Sequence, residues 1–457
     1  MDLKEMTLPR SSIDRSCPVL GPQDVPSIVA THILSFLDWN EKINATYALP
    51  EWKLHLCTPA SWPLVRYGGE AEENVYFTKE RRANFLICLK VYGKFMRKIE
   101  VCFGHPLQRS GQQILTAVSN YCQILKYFRF CPAEPQQYTF PCDMAMKKGD
   151  VCAFINVLRS CETLQDVALL TPFISWSEPV EFGSNNILTE LHQTSLAYKI
   201  TELRLASASL TDHEGYLHVL KEFKNLTKLS VRREKVNDPI LLMLVGNGLQ
   251  EICLYQDEEL ALSDSRQLRE DLWKNILEIC PAFKVDLVLQ YILVIRDSFV
   301  PNMPLRSLVL DDLVNIVTKG VMDHFIECYK HTLESFTYTN LYLENFESGD
   351  SRLPAALIAM AMACEKLTSI RYGFPLTSTS ILLLVKSRKL QSLVIPAVEV
   401  SYEFDWPVSA IQQQWGEDVV LWLKANCFSE GKLEEAVSEV LGFKWKLEYS
   451  PPSAIVS

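Results

Sequence analysis

No stretch of this 457-residue chain is apolar for long enough to cross a membrane. The longest nearly uninterrupted apolar run, Leu353 to Cys364, is about 12 residues, against the roughly 20 that a membrane helix needs, so it reads as a buried helix. Residues 1–24 hold charges and prolines but no apolar core, which fits a flexible tail and excludes a signal or transit peptide. Positive charge is in the minority: 45 Lys and Arg face 55 Asp and Glu, for a net charge of −10. Non-specific binding of nucleic acid or of an anionic membrane is therefore not expected. The 14 cysteines include no Cys-x-x-Cys pair, so they read as reduced thiols of a cytosolic or nuclear protein, with no metal site and no cofactor. Phosphate-cradling glycine motifs, H-E-x-x-H and G-x-S-x-G are all missing. The paired carboxylates Asp311-Asp312 and the run Asp257-Glu258-Glu259 read as solvated loop charges. No catalytic residue is expected, and the chain reads as a non-enzyme.

What is present is a repeat. Cys122, Cys161, Cys280 and Cys364 each stand three residues before Leu125, Leu164, Phe283 and Leu367. A single cysteine recurring in one slot marks a structural position that wants a small apolar side chain. Each of those apolar residues opens a Leu-x-x-Leu-x-Leu pattern. Copies are Met96/Ile99/Val101, Leu125/Phe128/Phe130, Leu164/Val167/Leu169, Ile200/Leu203/Leu205 and Leu226/Leu229/Val231. They continue as Leu249/Ile252/Leu254, Leu305/Leu308/Leu310, Leu333/Phe336/Tyr338, Leu367/Ile370/Tyr372 and Leu390/Leu393/Ile395, with one more expected near Phe283 to Leu289. The last two apolar positions are two apart, the period of a strand with one buried face. Between copies the pattern turns helical: Thr211 to Phe223, a helix opened by Asn237-Asp238-Pro239 and closed by Gly246 and Gly248, Ser263 to Cys280, Leu353 to Cys364, and Ser378 to Lys389. One strand and one helix, stacked about ten times over residues 91–400, give an α/β leucine-rich-repeat solenoid with strands on the concave face and helices on the convex face. A doubly wound α/β domain would need fully apolar strands and a glycine-rich loop, and Leu203-Arg204-Leu205 alternates instead.

Residues 25–65 form a separate module of three short helices, followed by a linker and first helix over 66–90. Val29, Ile33, Phe36 and Leu37 share one helical face, and Ile43, Ala45, Leu49, Trp52 and Leu56 continue the pattern. This segment resembles an F-box. Val25-Pro26 stands at its Leu-Pro opening, Ile33 to Leu37 at its Ile-Phe-Ser-Tyr-Leu core, Ala45 and Trp52 in its second segment, and Thr58 to Trp62 at its closing Ser-Pro-x-x-Trp. Ile28 departs from an acidic position and Leu49-Pro50 from Cys-Arg or Cys-Lys; Pro50 is expected to kink its helix. Val91 to Phe103, Phe283 to Leu287 and Pro304 to Leu308 are similar to repeats of F-box only proteins with a divergent leucine-rich tail, the type of F-box only proteins 33 and 39. The resemblance implies the substrate-recognition subunit of a Skp–cullin–F-box ubiquitin ligase. Its partners would be the Skp adaptor with the cullin-RING core and an unknown protein substrate. Val25, Pro26, Val29, Ile33, Leu34, Leu37, Trp52, Leu56 and Trp62 are the adaptor-binding candidates. The alternative is a non-catalytic repeat scaffold or regulator whose N-terminal helices only cap the solenoid. The two differ in whether the apolar face of residues 25–62 packs inward or stays exposed.

Residues 401–457 leave the repeat. Helices over Asp418 to Asn426 and Lys432 to Leu441, with Val419, Leu423, Leu433, Val437 and Leu441 apolar and Trp406, Trp415, Trp422 and Trp445 adding bulk, predict a C-terminal cap. Side-chain alternation sends Lys98, Arg129, Arg204, Lys228, Arg232, Tyr255, Asp311, Thr337, Arg371 and Val394 to the concave face. Lys98, Arg129, Arg204, Lys228, Arg232, Tyr255 and Arg371 are the substrate-binding candidates. Their positive charge suits an acidic or phosphorylated segment.

Overall fold

The computed structural model describes residues 25–68, 79–102, 111–131, 148–170, 191, 193–205, 220–233, 236–256, 268–290, 298–311, 317–339 and 353–449. The expected tail 1–24, most of the helix expected over Thr211 to Phe223, Asp312 and the acidic run from Asp257 lie outside these residues.

Among these residues twelve short strands form one parallel sheet in chain order. They are β1 (Val65–Tyr67), β2 (Lys98–Cys102), β3 (Tyr127–Cys131), β4 (Asp166–Leu170), β5 (Glu202–Leu205), β6 (Lys228–Arg232), β7 (Glu251–Gln256), β8 (Lys284–Gln290), β9 (Leu305–Asp311), β10 (Ser335–Thr339), β11 (Ser369–Tyr372) and, after the two-residue strand β12 (Leu376–Thr377), β13 (Ser392–Val394). β12 pairs separately with β14 (Val400–Ser401). Each crossover returns the chain in the same direction, so helices cover one face of the sheet and the other stays open. A helix is about 10 Å wide and a strand occupies about 4.8 Å, so helices on one face bend such an array toward its strands. This is a leucine-rich-repeat-like solenoid.

The repeat residues make its core. Ile99, Val101, Phe128, Phe130, Val167, Leu169, Leu203, Leu229, Val231, Ile252 and Leu254 are all buried, as are Leu308, Leu310, Phe336, Tyr338, Ile370, Tyr372, Leu393 and Ile395. The copy expected near Phe283 is β8, with Val285, Leu287 and Leu289 buried. β1 adds a strand that the pattern did not reveal, because three residues carry only one alternation, Val65 and Tyr67 around Arg66.

The cysteine slot ends the helices. Cys122, Cys280 and Cys364 donate their backbone N–H to Val118, Ile276 and Met360, closing the last helical turn. Their carbonyls then accept from Leu125, Phe283 and Leu367, which turns the chain into the next strand. Adjacent slots stack closely: the Cys161 thiol donates to the Cys122 carbonyl at 3.4 Å, and a Cβ on Gly93 would stand 2.9 Å from the Cys122 sulfur. Cys122, Cys161 and Cys364 are fully buried, and Cys280 is half-buried.

Several helices form where the sequence places them. The Asn237 side chain accepts from the Ile240 N–H, Asp238–Gly246 is helical, and Gly248 sits at φ +112° just beyond it. Helices also span Glu270–Ile279, Leu353–Ala363 and Ser378–Ser387. The cap is built from helices Val408–Trp415, Glu417–Asn426 and Glu430–Leu441. Its last residues close the sheet edge. Trp445 is buried and its indole N–H donates to the Leu393 carbonyl at 2.8 Å. The Glu448 N–H donates to Ile395 at 2.9 Å, and its carbonyl accepts from Ala397 at 2.8 Å.

Candidate interaction surfaces

The N-terminal module comprises α1 (Ser27–Phe36), α2 (Trp39–Ala48) and two 3₁₀ helices, Pro50–Cys57 and Pro59–Ser61. Asp38 opens α2 with a capping box: its carboxylate accepts from the Glu41 N–H, and the Glu41 carboxylate accepts from the Asp38 N–H. Pro50 does not kink a helix. α2 has already ended at Ala48, and Pro50 is the first residue of the next helix, where its missing N–H leaves nothing unsatisfied.

This module packs inward with one set of side chains and leaves another in solvent. Ala30, Leu34, Trp39, Trp52, Leu56 and Trp62 are buried. The Trp62 indole N–H donates to the Leu56 carbonyl at 2.7 Å. Trp62 lies 5.4 Å from Tyr92 and Trp39 5.0 Å from Phe85, both on α3 (Lys79–Tyr92), which fixes the module to the start of the solenoid. Lys42, which the sequence pattern did not single out, is buried among them. Its ammonium lies 5.4 Å from the Trp62 ring centre and donates to the Leu37 carbonyl. Desolvation pulls its pKa below the ordinary lysine value, with Asp38 opposing.

Among the described residues the outward side of α1 has no such partners. Ile28 and Phe36 are 80% and 76% exposed, Val29 and Ile33 43% and 40%. Pro26 is exposed as well, while Val25 and Leu37 are half-buried. Of the predicted adaptor contacts, Leu34, Trp52, Leu56 and Trp62 are thus interior, whereas Pro26, Val29 and Ile33 line the surface together with Ile28 and Phe36, which were not among the candidates.

The open face of the sheet holds the second set of candidates. Alternation places them as expected, and Lys98 and Lys228 are exposed while Arg129, Arg204, Arg232, Thr337, Arg371 and Val394 are half-buried. Tyr255 and Asp311 are buried, at 7% and 4% exposure, and are not available as contacts. Burial pushes the Tyr255 hydroxyl well above its usual pKa. Asp311 is not a solvated loop charge: it ends β9, and its carboxylate accepts from Thr339 Oγ1 at 2.8 Å and Gln290 Nε2 at 3.1 Å.

Carboxylates on the same face temper the cations. Arg66 pairs with Glu100 at 2.8 Å and Lys228 with Glu251 at 3.4 Å. Arg306 lies 2.5 Å from Asp286 and 3.2 Å from Glu251. Arg306 reaches both because it is the extra residue of a bulge: Val285 pairs with Leu305 and Asp286 with Ser307, so Arg306 has no opposite number. At the far end, the Arg371 guanidinium donates to both Glu448 oxygens, at 3.0 and 2.9 Å, so the cap's own last segment occupies it. Among the described residues no group of three or more His, Cys, Asp or Glu is placed to hold a metal ion. No described helix is long and apolar enough to cross a membrane.

No protein-family model matches the chain, and no curated protein matches it in sequence. Among solved structures the chain is similar to a chain of the yeast Rad7–Elc1 complex. The match has 13% identity and a TM-score of 0.43, and covers 83% of this chain and 90% of that one.

Proposed function

We propose that the protein is a substrate receptor of a Skp–cullin–F-box ubiquitin ligase, in which α1 docks on the adaptor and the open face of the repeats holds the substrate. One observation carries this reading: α1 buries Ala30 and Leu34 yet leaves Ile28, Val29, Ile33 and Phe36 in solvent on the same short helix. A helix that serves only as a cap has no use for four large apolar residues on its outer side, and such a patch marks a surface that a partner covers. Pro26 and the half-buried Val25 and Leu37 border this patch. The interior residues Leu34, Trp52, Leu56 and Trp62 set its shape and do not touch the partner. The module is also a cap, since Trp39 and Trp62 fasten it to α3. The two roles use opposite sides of it. The receptor itself performs no bond chemistry; it raises the concentration of a substrate near a tethered enzyme.

The test is binding of the full chain to a purified Skp-type adaptor, with Ile28→Glu/Ile33→Glu as the variant. Both residues are exposed, so the fold is retained. Loss of central contacts worth about 2 kcal/mol or more weakens binding by about thirtyfold or more. Equal affinity of variant and parent, or no adaptor binding by the parent, overturns the proposal and leaves the scaffold reading.

A further inference from the structure

We infer that the strand-entry edge of the first two repeats is a docking surface for an acidic protein segment, built from Lys90, Lys94, Arg97, Lys98 and Lys126. All five side chains are exposed. The fold gathers them from separate elements: Lys90 from the last turn of α3, Lys94 from the 3₁₀ turn Gly93–Phe95, Arg97 from the residue before β2, Lys98 from its start, and Lys126 from the approach to β3. Lys126 is the neighbour of Arg97 across the sheet, its N–H donating to the Arg97 carbonyl at 2.8 Å.

Cations near helix ends usually have a structural task, and this edge shows what that looks like. Lys199 donates to the carbonyls of Leu158 and Cys161 at 2.7 and 3.4 Å, where a helix ends. Arg388 does the same for Ala361, Met362 and Glu365. The five residues of the first repeats do neither. Among the described residues none of the five has a side-chain hydrogen bond or an ion pair, and the Lys94 ammonium lies 5.1 Å from the Phe95 ring centre. The carboxylate on β2 is already engaged, since Glu100 binds Arg66 and accepts from the Tyr127 hydroxyl at 3.1 Å. Asp166 begins β4, opposite Tyr127, and its N–H donates to the Lys126 carbonyl at 3.1 Å, but its carboxylate forms no ion pair with the Lys126 ammonium.

Like charges on adjacent strands repel one another. Five neighbouring cations with no ion pair among the described residues are a standing cost, in a chain whose net charge of −10 makes such a cluster unusual. An acidic segment removes that cost, and the same electrostatics steer its approach. None of these residues belongs to α1, so the inference stands whether or not the adaptor docks there.

The experiment is fluorescence anisotropy of the full chain with a labelled oligo-glutamate peptide, beside a neutral Gly-Ser peptide and a single-stranded oligonucleotide of matched charge. Lys94→Glu/Arg97→Glu/Lys126→Glu is the variant, and Lys432→Glu/Lys446→Glu in the C-terminal cap is the control. We expect the acidic peptide to bind in preference to both other probes, with affinity falling as salt is raised. The triple variant should lose about tenfold or more in affinity, and the control should not change. Equal binding by variant and parent, equal loss in the control, or tighter binding of the neutral peptide or the oligonucleotide overturns the inference.

Discussion

Trp445 offers the sharpest test of how the solenoid is closed. Its ring is 4% exposed, and its indole N–H supplies a partner for the Leu393 carbonyl on the outermost strand. The backbone around it is tied to the cap, because the Trp445 N–H donates to Ser438 Oγ at 2.9 Å and the Leu447 N–H to the Glu434 carboxylate at 3.0 Å. Trp445→Ala removes a buried aromatic side chain, a change that costs about 3–5 kcal/mol in a core. It also leaves the Leu393 carbonyl without its donor, for a further ~1 kcal/mol. Against a total stability of about 5–15 kcal/mol this is large. Yet repeats contact mainly their neighbours, so the loss should stay near the end of the array. Hydrogen exchange should show amides of β11, β13 and Glu430–Leu441 opening about a thousandfold more often, equivalent to ~4 kcal/mol, while β2 and β3 keep their protection. Trp445→Phe keeps a phenyl ring but loses three indole ring atoms together with the N–H, and should cost about 2 kcal/mol, less than the alanine variant. Uniform loss of protection from β2 to β13, or no loss in Trp445→Ala, would refute the reasoning that this residue closes the edge locally.

Arg306→Met should destabilise the protein by about 1–2 kcal/mol at neutral pH, since it strands Asp286 and Glu251 on a partly exposed face. Burial raises the Glu251 pKa, but Arg306 and Lys228 outweigh it and hold the carboxyl below its ordinary value of 4.5. A depressed carboxyl stabilises the fold above its unfolded pKa and stops doing so as pH falls through its folded pKa. The urea-midpoint difference between parent and variant should therefore be constant near pH 7 and shrink below about pH 4.5; a gap that persists at pH 3 argues against the ion pairs. Gly68→Ala should cost more than about 2 kcal/mol, because φ there is +80° and the new Cβ would lie 1.9 Å from the Cys102 carbonyl oxygen. Thermal unfolding checks it, and a shift within experimental error would show that the turn after β1 yields freely.

The repeat was legible because its signal is periodic. Two apolar residues two apart, with a third apolar residue three before them and, in four copies, a cysteine three before that, specify a half-buried strand and the turn that feeds it. The N-terminal helix face was legible for the same reason, Val29 and Ile33 being four apart. Which tryptophans face solvent was not, because an apolar residue satisfies the pattern equally well on either side of a three-helix module. Packing against Phe85 and Tyr92 took Trp39 and Trp62 inward, while Ile28 and Phe36 stayed exposed, the latter edge-on to His32 of its own helix.

Sequence alone determined the strand–helix alternation, the buried face of the strands that carry the full apolar triplet, and the cysteine slot, because each is a local pattern repeated along the chain; the cap showed only in the helical spacing of Leu433, Val437 and Leu441. Tertiary structure decided how the copies meet. Leu169 pairs with Leu203, so the third apolar position of one copy meets the second of the next. A two-residue slip keeps every side chain on its own face, which is why the pattern could not reveal it. The same holds for charge. The alternation sent cations to the open face, but only the register set Glu251 and Asp286 beside Arg306, and only the cap brought Glu448 to Arg371, 77 residues away. Ion pairs between strands depend on distances that no single strand contains.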